Sequence, residues 1–414
     1  MLDYPSLLNP SQLEAVTYGN GPVLVLAGAG TGKTRTLCFR VAYLLEEKHI
    51  APENIMLATF TNKAAKEMLE RVEQYVGRPV PKLWGGTFHH LGNRILRQYG
   101  RAIGLEPDFT ILDEEESVSF LKNIYKELGV EYSKDSPFPK PDVLHSLISF
   151  SANSGKSLET TIKEKYEYFE EFVDQIIRIK KYATDRKTRA EYLSFDDMLT
   201  KWLELLQQAP RIQKKLSEQF CHLLVDEYQD TNKIQAEIIK WLTNTEQNIM
   251  VVGDDCQSIY SFRAAEVENI LNFPRDFPEA KIIKLETNYR STPSILNLAN
   301  QIIVKNQQQW HKFLHTNRVD IVKPQLVEAY DSRDQAKFIL KEIKKEIALG
   351  NYNVAVLFRS NFQSLEMEME LIHANIPYVK RGGLRFFEQA HIKDVLAFIK
   401  TVLNPKDELA FIRA

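Results

Sequence analysis

The chain has 414 residues, of which 44% are hydrophobic and 26% charged, and its formal net charge is −2. This length exceeds what one hydrophobic core supports and predicts about three domains. The charge excludes a general basic coat, so any nucleic-acid site must be a local patch of Lys and Arg. The cysteines, Cys38, Cys221 and Cys256, are far apart and predict neither a zinc site nor a disulfide framework. The first residues lack a basic or apolar leader, and no apolar run reaches the roughly 20 residues of a membrane span, so we expect a cytoplasmic protein with no membrane partner.

Residues 8–16 predict a short helix, capped by Asn9 or Ser11, with Pro10 near its first turn. A capped surface helix explains this pattern by itself. Gln12 stands out only because a carboxamide can match both the donor and the acceptor edge of adenine.

The next stretch has the pattern of a phosphate-binding loop. Val23 to Leu26 predict a buried strand, and a glycine-rich turn and a helix follow. Glycines let backbone N–H groups surround phosphate oxygens at a helix N-terminus, where the dipole favours negative charge. Lys33 is then placed for the β- and γ-phosphates and Thr34 for Mg²⁺. A turn without a ligand is disfavoured, and we predict nucleoside-triphosphate binding by Ala27, Gly28, Ala29, Gly30, Thr31, Gly32, Lys33 and Thr34.

Two later strands also end in polar and aromatic residues. The strand at 54–59 leads into Phe60, Thr61 and Asn62, and the segment from residue 85 leads into Thr87, Phe88 and His89. In an open parallel sheet, ligands collect at the carboxyl ends of the strands. The aromatic rings can stack on bases, although core packing remains an alternative for Phe60.

From 109 to 192 the buried-strand pattern gives way to helical periodicity, which predicts a helical insertion. Within it lies a local basic cluster, for which a solvated helix face and a DNA-backbone contact are both open. The cluster contains Arg178, Lys180, Lys181, Arg186, Lys187 and Arg189.

Residues 220–232 form an apolar strand that ends in Asp226 and Glu227. Asp226 can hold Mg²⁺ and Glu227 can orient and deprotonate an attacking water. The strand at 249–253 leads to Gln257, which is suited to sense a γ-phosphate. Tyr260, Phe262 and Arg263 follow and can contact DNA, or can simply close a loop over the sheet.

Residues 280–291 predict the start of a second α/β unit, whose first strand precedes Tyr289 and Arg290. Further strands are predicted at 353–361 and 376–383, and a helical stretch at 391–414. The predicted domains are an ATP-binding RecA-like domain in two segments, 1–108 and 191–276, the insertion at 109–190, half of a second RecA-like domain at 277–388, and the start of a second insertion at 389–414.

In this order, these motifs resemble those of the UvrD/Rep-type superfamily 1 DNA helicases, over essentially the whole chain. The resemblance implies an α/β fold with a RecA-like parallel sheet, ATP with Mg²⁺ between two such domains, and 3′ to 5′ translocation on single-stranded DNA, with duplex junctions as further partners. Gln12 would read adenine, with Tyr289 and Arg35 flanking the base. Glu227 would be the catalytic base, Gln257 would couple the γ-phosphate to DNA, and Arg290 would be an arginine finger from the second domain. The implied DNA track is Phe60, His89, Tyr260, Phe262 and Arg263; relatives often carry Trp at position 262.

Two later motifs of such helicases do not occur before Ala414, so we expect an amino-terminal fragment that binds ATP and single-stranded DNA but hydrolyses and unwinds poorly. The motor of a helicase–nuclease complex and a nucleotide-switched DNA-binding module are the alternative functions. A GTPase is disfavoured because Asn62-Lys63 and Asn232-Lys233 are not followed by the expected Asp. A small-molecule kinase is disfavoured by the aromatic strand ends.

Overall fold

The structure is a computed structural model that describes residues 2–132, 136–319, 322–382 and 390–403. The chain divides into two compact units, Met1–Lys323 and Pro324–Ala414, which are considered separately. Within the described ranges, no helix combines the length and the apolar character that crossing a bilayer requires.

The first unit is built on a parallel sheet. Its described strands, together with a short separate pair (β4 and β5), are β1 (Val23–Ala27), β2 (Ile55–Thr59), β3 (Trp84–Thr87), β4 (Thr110–Leu112), β5 (Tyr192–Ser194), β6 (His222–Val225), β7 (Ile249–Gly253) and β8 (Lys281–Leu285). The main sheet has the order β3-β2-β6-β7-β1-β8, and every pairing is parallel. All its strands therefore end at one edge, which we call the carboxyl edge.

The apolar run of β1 explains its central position. Leu24 and Leu26 pack into the core on one face of the sheet, while Val23 and Val25 pack into the core on the other face. Side chains alternate between faces along a strand, so a strand covered on both faces needs a continuous apolar run.

Helices cover both faces of the sheet. Those of the first unit are α1 (Tyr4–Leu7), α2 (Pro10–Thr17), α3 (Lys33–Glu46), α4 (Asn62–Val76), α5 (Phe88–Tyr99), α6 (Glu114–Glu127), α7 (Pro141–Ser154), α8 (Leu158–Lys165), α9 (Val173–Ala190), α10 (Phe195–Gln208), α11 (Pro210–Gln219), α12 (Lys233–Leu242), α13 (Glu268–Leu271), α14 (Phe273–Asp276) and α15 (Pro293–Ile303). Short 3-10 helices occur at Pro52–Asn54, Gly100–Ile103, Glu167–Phe172, Tyr228–Asp230, Asp255–Gln257 and Ser261–Arg263.

Helices α6 to α9 lie where the sequence predicts the helical insertion, and they have a core of their own. Tyr125, Leu144 and Ile176 are buried in this core. Strands β4 and β5 flank the insertion and pair with each other, so the chain leaves and re-enters the sheet domain at neighbouring points.

The strand β8 corrects one expectation. We expected it to begin a second α/β unit, but it pairs along its whole length with β1 in the first sheet. Its inward residues, Ile283 and Leu285, are buried in the same core as Val23 and Val25. β1 pairs with β7 on one side, and the backbone groups on its other side form hydrogen bonds with β8. The local sequence of β8 does not show which strand it pairs with.

The described part of the second unit consists of α16 (Ser332–Ala348), α17 (Leu365–His373), α18 (Ala390–Leu403) and a 3-10 helix at Asn361–Ser364. Helices α16 and α17 share a small core that includes Leu340, Met367 and Leu371. The strands predicted at 353–361 and 376–383 are not formed by the described residues there, because none of them joins a ladder. Residues 383–389 and 404–414, and with them parts of the predicted second insertion, lie outside the described residues.

Candidate functional site

The polar motifs converge because of the strand order. Strand β7 lies between β6 and β1, so the segments that follow these three strands emerge side by side at the carboxyl edge. They carry the glycine-rich loop, the acidic pair Asp226 and Glu227, and the segment with Gln257. Parallel sheets of this kind bind their ligands at this edge.

The glycine-rich loop needs glycine for its backbone. Gly30 and Gly32 have φ angles of 75° and 88°, a region that residues with a side chain rarely adopt. A Cβ atom on Gly30 would also lie 2.7 Å from the Asn288 side-chain nitrogen. Helix α3 begins directly after Gly32, so its free N–H groups face the loop.

The loop and the acidic pair are in direct contact. Lys33 Nζ donates to Glu227 Oε2 at 2.6 Å, and Thr34 Oγ1 donates to Asp226 Oδ2 at 3.3 Å. Glu227 has a left-handed backbone with φ 51°, which is uncommon for a residue with a side chain. Such strain is concentrated at functional sites, where the surrounding structure holds it.

Asp226 is only 4% exposed. Burial, reinforced by the neighbouring charge of Glu227, raises the pKa of Asp226 to about 6, although Lys33 acts in the opposite direction. A cation beside Asp226 would favour its charged form. The carboxylate of Asp226 and the hydroxyl of Thr34 are hard oxygen donors, which is the ligand chemistry that Mg²⁺ prefers.

A chain of hydrogen bonds continues from Glu227 to Gln257. The Gln229 side-chain amide donates to Glu227 Oε2 at 2.9 Å, and its oxygen accepts from the backbone N–H of Asp254 at 2.9 Å. Gln257 Nε2 in turn donates to Asp254 Oδ2 at 2.5 Å. The structure thus joins two predicted site residues through Gln229 and Asp254, which the sequence did not single out.

Gln12 lies against the same loop. Asn9 is the cap of α2, and together with Gln12 it forms a capping box. The Gln12 side-chain oxygen accepts from the Asn9 N–H at 3.2 Å, and its nitrogen donates to the Thr31 carbonyl at 2.9 Å. Since a carboxamide has two donors and two acceptor lone pairs, Gln12 retains one of each. The Asn9 amide also donates to the Tyr289 hydroxyl at 2.8 Å, while Arg35 donates to the Leu7 carbonyl at 2.9 Å.

The segment after β8 lies on the glycine-rich loop. Asn288 Nδ2 donates to the Ala29 carbonyl at 2.5 Å, and the Tyr289 N–H donates to the Gly30 carbonyl at 2.9 Å. Asn288 Oδ1 accepts from the Arg290 N–H at 2.8 Å. These bonds place the exposed Arg290 beside the loop.

The predicted DNA residues form a second group on the carboxyl edge. The rings of Phe60 and Tyr260 are 5.2 Å apart, and those of Tyr260 and Phe262 are 5.8 Å apart. Phe262 is 66% exposed. The side chain of Arg263 lies outside the described part of the structure.

The polar members of this group have local roles. Thr61 caps α4 and Thr87 caps α5, each through its hydroxyl. The Thr87 hydroxyl also lies 3.4 Å from Asn62 Oδ1, which brings the ends of β2 and β3 together. Thr61 and Asn62 remain exposed.

His89 and Phe88 are adjacent in sequence but differ in environment. The rings of His89 and Phe195 are 5.6 Å apart in an edge-to-face arrangement, and burial lowers the pKa of His89. Phe195 is 46% exposed. The sequence does not single it out, because a Phe at the start of a helix has no pattern that indicates a binding site. Phe88 is only 5% exposed and packs in the core near Trp202, so its predicted role in DNA contact is corrected to a role in the core.

The basic cluster of the insertion is partly neutralised within the protein. Arg186 bonds Glu127 at 3.2 Å, and Lys187 forms an ion pair with Asp197. These pairs favour a structural role for two of the six cations over a contact with DNA.

Comparison with known proteins decides the family. A model described as the UvrD/REP helicase N-terminal domain matches residues 8–278, and a UvrD-like helicase C-terminal domain model matches residues 283–414. The chain belongs to the UvrD/Rep helicase family. The resemblance inferred from the motifs and the predicted α/β fold with a parallel sheet are both confirmed.

Two curated members of the UvrD/Rep family show how much is shared. The chain is 41% identical to the ATP-dependent DNA helicase PcrA of Staphylococcus epidermidis over 408 residues, and 38% identical to that of Staphylococcus aureus over 410 residues. Each match includes 98% of this chain and 55% of the relative. The chain therefore spans about half the length of the curated relatives it matches.

Proposed function

We propose that the chain binds ATP with Mg²⁺ and single-stranded DNA, as the motor part of an ATP-dependent 3′ to 5′ DNA helicase. The observation that carries the proposal is the direct contact of the glycine-rich loop with the acidic pair, through Lys33 with Glu227 and Thr34 with Asp226. Family membership, and relatives that are described as ATP-dependent DNA helicases, favour this function over a helicase–nuclease motor or a DNA-binding switch.

In this proposal, ATP phosphates lie on the glycine-rich loop and compete with Glu227 for the Lys33 ammonium. Asp226 and Thr34 would hold Mg²⁺, which supplies positive charge beside the phosphate oxygens. Gln12 uses its remaining donor and acceptor on adenine, and Tyr289 and Arg35 lie on either side of the base. Gln12 would then use the one donor and the one acceptor that its bonds to Thr31 and Asn9 leave open.

Hydrolysis requires a water that attacks the γ-phosphorus in line with the leaving oxygen. Glu227 orients that water and accepts its proton once Lys33 has turned to the phosphates. Arg290, held beside the loop by Asn288, offsets the charge that develops in the transition state.

Gln257 would connect hydrolysis to DNA. Its amide lies on the hydrogen-bonded chain that begins at Glu227, and Tyr260 follows three positions later. Phe60, Tyr260, Phe262 and His89 would form the track, with Phe195 as an added ring. Aromatic faces accept any base, so the track would bind single strands without sequence preference.

The test measures ATP hydrolysis with and without single-stranded oligonucleotide, and displacement of a strand from duplexes with a 3′ or a 5′ tail. The proposal expects ATP binding by this chain, unwinding only from the 3′ tail where unwinding occurs, and loss of hydrolysis in Glu227→Gln. Absence of ATP·Mg²⁺ binding, or unwinding only from a 5′ tail, would contradict it.

A further inference from the structure

Lys312 is a buried cation that no motif in the sequence marks. Its ammonium lies 2.8 Å from Asp254 Oδ1 and 2.5 Å from Asp255 Oδ1, and its side chain is 5% exposed. It also donates to Cys256 Sγ at 3.2 Å. The two carboxylates are equally enclosed, so Lys312 belongs to a closed ionic cluster rather than to a solvated surface.

The cluster depends on a cation. Asp254, Asp255 and Cys256 place one ligand atom each within 4.8 Å of one another, an arrangement that a positive charge can occupy. The Lys312 ammonium occupies it here. Removing one partner from a buried ion pair leaves an uncompensated charge, which the protein removes by protonation or by local rearrangement.

Asp254 connects this cluster to the predicted γ-phosphate sensor. Its Oδ1 accepts from Lys312 and from the Cys256 N–H at 3.2 Å, while its Oδ2 accepts from Gln257 Nε2 at 2.5 Å. The orientation of the Gln257 carboxamide is therefore set by a carboxylate whose other oxygen is held by Lys312. If Asp254 rotates, Gln257 loses that acceptor.

Lys312 also lies on a segment that contacts the glycine-rich loop. We call residues 286–315 the covering segment. Its two ends are joined where the Asn288 N–H donates to the His315 carbonyl at 2.7 Å and the His315 N–H donates to the Glu286 carbonyl at 3.0 Å. Asn288 bonds Ala29 of the loop, and a Cβ on Gly28 would meet Leu314 at 2.5 Å. The covering segment thus contacts the glycine-rich loop through Asn288 and Leu314. Through Lys312, two residues before Leu314, it also contacts Asp254, the hydrogen-bond partner of Gln257.

We infer that Lys312 is a positioning residue that fixes Gln257 through Asp254 and thereby couples the nucleotide site to DNA. This inference rests on the proposed function, because it assigns Gln257 the role of responding to the γ-phosphate. Lys312 is not among the residues that we propose to contact ATP or DNA. It acts by holding one arrangement of Asp254, so that a change at the loop is transmitted through the covering segment to Gln257.

The experiment measures the dissociation constant of a fluorescent, non-hydrolysable ATP analogue with Mg²⁺, in the absence and in the presence of saturating oligo(dT). The ratio of the two constants is the coupling. Allosteric couplings are typically on the order of 5- to 150-fold, and we expect a ratio in this range for the wild-type protein and of less than about twofold for Lys312→Met.

Three companion variants separate positioning from general damage. Gln257→Ala should reduce the coupling as strongly as Lys312→Met, and the double variant should lose no more, since the two residues act as one unit. Lys240→Met is the matched control: the Lys240 ammonium bonds Glu237 at 3.1 Å and Asp276 at 3.0 Å in the same unit, and its loss should leave the coupling at the wild-type value.

Lys312→Met combined with Asp255→Asn removes one positive and one negative charge and so keeps the net charge of the wild-type cluster. Lys312→Arg keeps the positive charge but moves the donor atoms, so these two variants should fold even if the single variant does not. Both should still show reduced coupling. Wild-type coupling in every folded Lys312 variant would overturn the inference, as would a wild-type chain that binds both ligands without coupling. A wild-type chain that fails to bind ATP·Mg²⁺ would instead refute the proposed function, and the inference with it.

Discussion

The carboxyl edge of the sheet has two halves that differ in chemistry. The half after β1, β6, β7 and β8, for which we propose nucleotide binding, is called the nucleotide half. Its polar side chains are buried or half-buried and are joined from Lys33 through Glu227, Gln229 and Asp254 to Gln257. In the aromatic half, after β2 and β3 and including Tyr260 and Phe262, rings lie near one another and are partly open to solvent. A ligand on which charge develops during a reaction needs hydrogen-bond donors in fixed positions. Binding of a single nucleic-acid strand of any sequence needs flat aromatic faces on which bases can stack.

The largest expected effect is on stability, at Phe88, which we assign to the core and not to the aromatic half. Phe88→Ala should lower the free energy of unfolding by roughly 3–5 kcal/mol, because a buried ring is removed and a cavity remains. Urea unfolding measures this, with Phe262→Ala as the exposed control. If Phe88→Ala keeps wild-type stability but weakens DNA binding, Phe88 belongs to the track after all.

Lys33→Ala tests the nucleotide half alone. We expect the free energy of ATP·Mg²⁺ binding to weaken by roughly 2–5 kcal/mol, since an enclosed charge facing phosphate oxygens is lost. A titration with a fluorescent ATP analogue measures it, and the control is Lys48→Ala, at an exposed residue just after α3. Without nucleotide, DNA affinity should not change. Unaltered ATP affinity would refute the assignment of the loop.

Asp226→Asn should separate stability from ligand binding. The pKa of Asp226 is raised from 3.8 to about 6 in the folded protein. Protonated Asp226 therefore contributes fully to the free energy of unfolding below about pH 4, and this contribution is lost as the pH rises through about 6. At pH 7 and without nucleotide, the variant should therefore be more stable than the wild type by roughly 1–3 kcal/mol, and at pH 4 the difference should vanish.

Thermal or urea unfolding at the two pH values measures this difference, and the Mg²⁺ dependence of nucleotide binding should be lost in the same variant. If Asp226→Asn is less stable than the wild type at pH 7, the charged Asp226 carboxylate does not destabilise the folded protein.

Phe262→Ala tests the aromatic half. We expect single-stranded DNA binding to weaken by roughly 1–3 kcal/mol, with ATP affinity unchanged, because stacking on one base is lost. Fluorescence anisotropy of a labelled oligonucleotide measures it at several salt concentrations. Tyr168→Ala, at an exposed aromatic residue of the insertion, is the matched control. Equal losses in both variants would argue against a track at Phe262.

The parallel sheet, the glycine-rich loop and the acidic pair could be predicted because each is written in a short, local stretch of sequence. The pairing of β8 with β1 could not, since it joins strands about 250 positions apart. Phe88 and His89 had the same local pattern, yet consecutive residues at a helix start point in different directions, and only one ring faces the core. Lys312 gave no signal, because its partners are brought to it by the fold.

We propose that one edge of one sheet binds ATP on its nucleotide half and DNA on its aromatic half. Photo-crosslinking of a bromouracil oligonucleotide, followed by mass spectrometry of the peptides, tests it most directly. We predict crosslinks at Phe60, His89, Tyr260 and Phe262 that persist in Lys33→Ala and are not displaced by ATP. Crosslinks confined to the basic cluster of the insertion, or displaced by ATP from the glycine-rich loop, would contradict the account.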